Sequence, residues 1–141
     1  IYRYYKAPEE LTMISDWDEK LNGVPKYKIS NNSHFTFRSL FNLFWGDVYK
    51  LNNGQWEIDS KGGICGTRGD EPEFFPGNII TTEVADYMTA DYYVKEKGKY
   101  KYEVDLTTGE GLDFGHSIPE GNPPYIKIYD IYEIEQFFEI K

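Results

Sequence analysis

Cysteine is almost missing from this chain. Among 141 residues there is one, Cys65, so no intramolecular disulfide can staple the fold. That thiol and two histidines, His34 and His116, are too few for a dedicated zinc site, and no metal is expected. Positive charge is scarce as well. Fifteen Lys and Arg against 24 Asp and Glu leave a net charge of −9, which argues against nucleic acid as a partner, because phosphate contacts need clustered cations. No apolar run approaches the ~18 residues of a spanning helix, and no leader-like segment stands at the start, so no membrane span is expected. The chain opens on Ile1 rather than Met, which suits a secreted protein after signal removal and a cytoplasmic one equally. Repeats are absent too, and 1–141 reads as a single domain with room for its own core.

What is abundant is aromatic surface. Tyr, Phe and Trp make up 18% of the residues, with 13 Tyr and 9 Phe, so rings are expected to build both core and surface. Acid is concentrated towards the end: residues 101–141 hold nine carboxylates and three lysines. Such a balance suits a solvated surface or a basic partner.

Local patterns predict a mixed fold. Pro8 to Leu21 reads as a helix, with Pro8 at its first position, Glu9 and Glu10 at the positive end and Lys20 at the negative end. Leu11, Ile14 and Leu21 share one stripe, and Gly23 supplies a left-handed stop. Residues 27–37, polar at the centre, read as a loop into a short strand around Phe35, and Asn31-Asn32-Ser33 forms a glycosylation sequon. Leu40 to Tyr49 is apolar core, helical or extended. Asn53-Gly54 predicts a hairpin joining residues 48–51 to 55–59, because both turn positions tolerate positive φ. The glycine-rich stretch 61–78 reads as a loop or flap and lacks the Gly-Lys-Ser/Thr ending of a phosphate cradle. Thr82 is placed as the cap of a helix from Glu83 towards Tyr92. Tyr100, Tyr102, Val104 and Leu106, alternating with Lys101, Glu103 and Asp105, give the clearest strand. Residues 125–140 favour a strand, with a helix from about Glu135 as the alternative. The sum is an α+β fold of mainly antiparallel sheet with two or three helices.

Standard catalytic sets are hard to assemble from these residues. No serine stands in a Gly-x-Ser-x-Gly turn beside a histidine. Cys65 reads as a small apolar residue before it reads as a nucleophile. Asp16-Trp17-Asp18 opens like a calcium loop but has Leu21 where glycine is required.

The opening Ile1-Tyr2-Arg3-Tyr4, followed by Pro8 and Glu10, resembles the arginine strand and turn of cholera- and pertussis-type ADP-ribosyltransferase toxins. Ile80-Thr81-Thr82 is similar to that family's Ser-Thr-Ser segment, and residues 124–129 to the strand after its catalytic loop. The resemblance implies two small sheets clasping NAD as substrate. Arg3 would serve the phosphate side, and Thr81 and Thr82 would brace the pocket. Glu120 or Glu110 would stabilise the cation formed as nicotinamide leaves. ADP-ribose would pass to a protein or small-molecule acceptor. The family's Glu-x-Glu is not found before the closing strand; it occurs literally at Glu71/Glu73 and Glu133/Glu135. The rival expectation is a small acidic immunity or inhibitor protein covering a basic site on a toxin, nuclease or other enzyme, supported by the net charge and the tyrosines. A third is a secreted adhesion or ligand-binding module.

Overall fold

The structure, a computed structural model, describes residues 2–39, 46–60, 73–83, 92–108 and 129–141. They form ten strands: β1 (Tyr2–Lys6), β2 (Leu11–Ser15), β3 (Lys26–Asn31), β4 (Phe37–Ser39), β5 (Asp47–Asn52), β6 (Gln55–Ser60), β7 (Glu73–Phe74), β8 (Ile79–Glu83), β9 (Gly98–Thr107) and β10 (Tyr129–Ile140). Among the described residues there is no helix, so the expected α+β fold is corrected to an all-β architecture. None of these residues forms a helix long and apolar enough to cross a membrane.

The large sheet is organised around β9. One side of β9 pairs with β10, which in turn takes β1 as a parallel neighbour. The other side pairs with β5 over its first half and β4 near its end; β6 extends the sheet beyond β5, and β7 beyond β4. The small sheet has the order β2-β3-β8, antiparallel throughout.

Where a helix was expected after Pro8, the chain turns and enters β2. The Leu11 amide donates to the Pro8 carbonyl at 3.0 Å. Leu11 and Met13 are then buried while Thr12 and Ile14 face out, a period of two that the helical stripe had hidden. The left-handed residue is Asn22 (φ 63°), not Gly23. Residues 27–31, expected in a loop, alternate inward Tyr27, Ile29 and Asn31 with outward Lys28 and Ser30, and with Lys26 form the central strand of the small sheet. Thr82 lies inside β8, which also takes in Glu83, the expected first residue of the helix. The terminal run stays extended through Glu135 to Ile140. The Asn53-Gly54 hairpin is as expected, with φ of 52° and 78°. Of the helix expected from Glu83 towards Tyr92, residues 84–91 lie outside the described residues, as do 40–45 of the apolar core at 40–49 and 61–72 of the loop or flap at 61–78, whose Glu73–Phe74 form β7.

The core sits between the two sheets. Tyr100, Tyr102, Val104 and Leu106 of β9, with Ile134, Phe138 and Ile140 of β10, face Leu11, Met13, Tyr27 and Ile29 of the small sheet. Rings join the layers: Tyr27 stacks on Tyr102 at 4.6 Å, and Trp17 meets Phe138 edge-on at 5.1 Å. The Tyr102 hydroxyl donates to Thr82 Oγ1 at 3.0 Å, a buried bond between sheets.

Asn31 ends β3 as a buried bracket. Its Nδ2 donates to the Phe35 carbonyl (2.8 Å) and the Phe74 carbonyl (3.1 Å), and its Oδ1 accepts from the Ser33 amide (3.0 Å). In the folded chain a glycan therefore has no access to the sequon nitrogen. Asn31→Ala is expected to lower stability by about 2–4 kcal/mol, because buried polar groups lose their partners together. Urea unfolding against the exposed neighbour Asn32→Ala, expected within about 0.5 kcal/mol of the parent, checks it.

Candidate functional site

Charge gathers on the face of the large sheet that points away from the small one. Residues paired across neighbouring strands share a face, so the register fixes which side chains meet. Asp47 of β5 lies opposite Glu103 of β9, and Glu103 opposite Glu135 of β10. One step along, Asp105 lies opposite Glu133. Five carboxylates therefore occupy two adjoining rows. Next to them runs a row of Tyr49, Lys101 and Phe137.

Like charges placed directly opposite each other repel, and this cluster is only partly offset. Lys101 stands in its midst, with Nζ 3.6 Å from both Glu103 and Glu135. The same ammonium lies 4.7 Å from the centre of the Tyr49 ring and 5.6 Å from that of Trp56. Lys6 faces Glu133 in the register, and Arg38, opposite Thr107, bonds Glu73 at 2.7 Å. Among the described residues, Lys101 is the cation that stands between these acids.

The imbalance shows in the acids themselves. The Glu103 side chain is 12% exposed; burial first, then the Glu133 charge, push its carboxyl up to about 7. Asp105 is likewise pushed up to about 7, by burial and then by Glu103 and Glu133. One Asp105 oxygen is buried with no hydrogen-bond partner. The Tyr49 phenol is raised too, by burial and then by Glu103. Glu103, Glu133 and Glu135 can bring oxygens within 4.8 Å of one another, a spacing able to hold an ion. A metal there would share its space with the Lys101 ammonium, which lies 3.6 Å from both Glu103 and Glu135.

The residues expected to bind NAD are spread over the fold. Arg3 is exposed on β1, donating to both Asp130 oxygens at 2.7 and 3.1 Å. Thr81 and Thr82 point to opposite faces of the small sheet: Thr81 is exposed, and Thr82 is buried against Tyr102. Glu110 and Glu120 lie outside the described residues, as do Cys65 and His116.

None of the carboxylates of the charged face is among the expected site residues, although Glu133 and Glu135 form a literal Glu-x-Glu. A signal was present, however. Glu103-x-Asp105 and Glu133-x-Glu135 each put two acids on one side of an expected strand, and the pairing of those strands makes four.

Compared with protein-family models, curated proteins and solved structures, the chain matches none. The reading as an NAD-dependent, toxin-like ADP-ribosyltransferase is therefore corrected: the mixed helix-and-sheet architecture it required gives way to two sheets, and no match ties the chain to that enzyme chemistry.

Proposed function

We propose that this chain is a binding module that engages a basic protein partner through the outer face of its large sheet. The observation carrying this reading is the pair of adjoining carboxylate rows, Asp47, Glu103 and Glu135 beside Asp105 and Glu133, with the Lys101 ammonium between Glu103 and Glu135. Among the described residues these rows carry more negative than positive charge, and a cation arriving at the rim meets that surplus. Charged rows of this kind also speed encounter with an oppositely charged surface.

The test is titration with a fluorescent octalysine. Glu133→Gln combined with Glu135→Gln is expected to weaken binding about tenfold, and added salt to weaken it steeply. Glu9→Gln combined with Glu10→Gln removes equal charge from the turn before β2 and is expected to change affinity less than twofold. Equal losses in the two double variants would reduce the effect to net charge and defeat the proposal.

A further inference from the structure

The carboxylate rows border an apolar patch that solvation of charge does not explain. Phe137 of β10 is 57% exposed, Ile58 of β6 54% and Trp56 of β6 37%. Strands β6 and β10 are three spacings apart, about 14 Å on an ideal sheet. Yet the Trp56 and Phe137 rings lie 5.7 Å apart. The two side chains therefore lean towards each other beside Lys101, which is paired with Phe137 and has its ammonium 5.6 Å from the Trp56 ring and 3.6 Å from Glu103 and Glu135. The register shift between Val48 and Tyr49 adds local twist to the β5–β6 ribbon. The result is an aromatic ridge beside an acidic floor. Large apolar side chains gathered in the open on a small protein mark contact surfaces.

Spacing then narrows the kind of partner. Along β10 the outward side chains run Glu133, Glu135, Phe137, Glu139. Neighbours in that series are two residues apart, roughly 6.7 Å. An extended peptide laid over this face repeats the same interval between its own alternate side chains. We infer that the face recognises an extended basic segment in which a Lys or Arg and a large apolar residue stand two positions apart, the cation over Glu133 and Glu135 and the apolar group on Trp56 and Phe137. This rests on the binding role proposed above and adds the apolar half of the recognition.

Three octapeptides test it by NMR titration of the whole chain. The first repeats Lys-Ser-Leu-Ser twice, which puts Lys and Leu on one side when extended. The second repeats Lys-Leu-Ser-Ser, which puts them on opposite sides with identical composition. The third repeats Lys-Ser-Ser-Ser. The first is expected to bind about tenfold more tightly than either other. Phe137→Ser and Trp56→Ser, each at an exposed site and checked for an unchanged fold, are expected to erase that advantage. Equal affinity of the first two peptides, or an advantage that survives both variants, would overturn the inference. The underlying binding role fails separately, if Glu133→Gln with Glu135→Gln leaves all three affinities unchanged.

Discussion

Raising the pH from 5.5 to 8.5 is expected to lower the melting temperature by roughly 5–10 °C, and Glu103→Gln to remove about half of that fall. The sign follows from which state holds more protons. In the unfolded chain Asp and Glu ionise near their ordinary values, about 3.9 and 4.3. In the fold Glu103 and Asp105 release their protons only around 7. Between these limits the native state carries protons the unfolded state has lost, so stability falls as pH rises through the window and levels off above it. Other acids work the opposite way: Glu96 is held below its usual range by its bond to Lys50, but that group is fully exposed.

The size is bounded by coupling. Glu103 and Asp105 repel each other and both feel the Glu133 charge, so one proton relieves both, and their shifts do not add. A loss on the order of 2–3 kcal/mol over this window remains, at about 3 °C per kcal/mol for a chain of this length. Glu103→Gln keeps the shape and discards the charge. It also removes the Lys101 partner at 3.6 Å, a contact too long to be a strong hydrogen bond. At pH 8.5 the variant should therefore melt higher than the parent, and at pH 5.5 close to it. A parent that becomes more stable towards pH 8.5, or a variant with the parent's full slope, would show that the two acids are not held protonated by the fold.

The same residues show what the sequence made legible. Alternation identified β9 and the core side of β10, because Tyr100, Tyr102, Val104, Ile134 and Phe138 are all apolar on one parity and buried. Turn chemistry identified the Asn53-Gly54 hairpin, a local event needing no partner. Failure came where a segment fits two periods. Leu11, Ile14 and Leu21 fit a helix, while Leu11 and Met13 fit a strand, and only the pairing with β3 decides between them. Asn31 and Thr82 looked like a loop residue and a helix cap. Their polarity is used instead inside the core, in bonds to residues up to 43 positions away. The charged face was the least visible feature. Its acids come from three strands, and their meeting depends on β9 lying between β5 and β10, an order that local spacing does not contain. Alternation places each acid on a side of its own strand; register decides which acids become neighbours.

Gly46→Ala should be among the most damaging single methyl additions available to this chain, costing about 3 kcal/mol or more and lowering the melting temperature by about 10 °C. A Cβ at Gly46 would stand 2.5 Å from the Tyr102 hydroxyl oxygen and closer still to the ring. The ring cannot easily withdraw. Tyr102 is fully buried on the central strand, stacked on Tyr27 at 4.6 Å, and tied through its hydroxyl to Thr82 at 3.0 Å. Movement on the other side is resisted too, since Asp47 is already paired with Glu103 in the β5–β9 ladder. Backbone displacement at Gly46 would thus also shift an acid of the outer face, which links the polar core to the charged surface. If crowding is the cause, shortening the obstacle must help: Gly46→Ala combined with Tyr102→Leu should lose at least 1 kcal/mol less than the sum of the two single losses. Simple additivity in urea unfolding, or a Gly46→Ala protein within 1 kcal/mol of the parent, would mean that the backbone at Gly46 does not press against the Tyr102 ring.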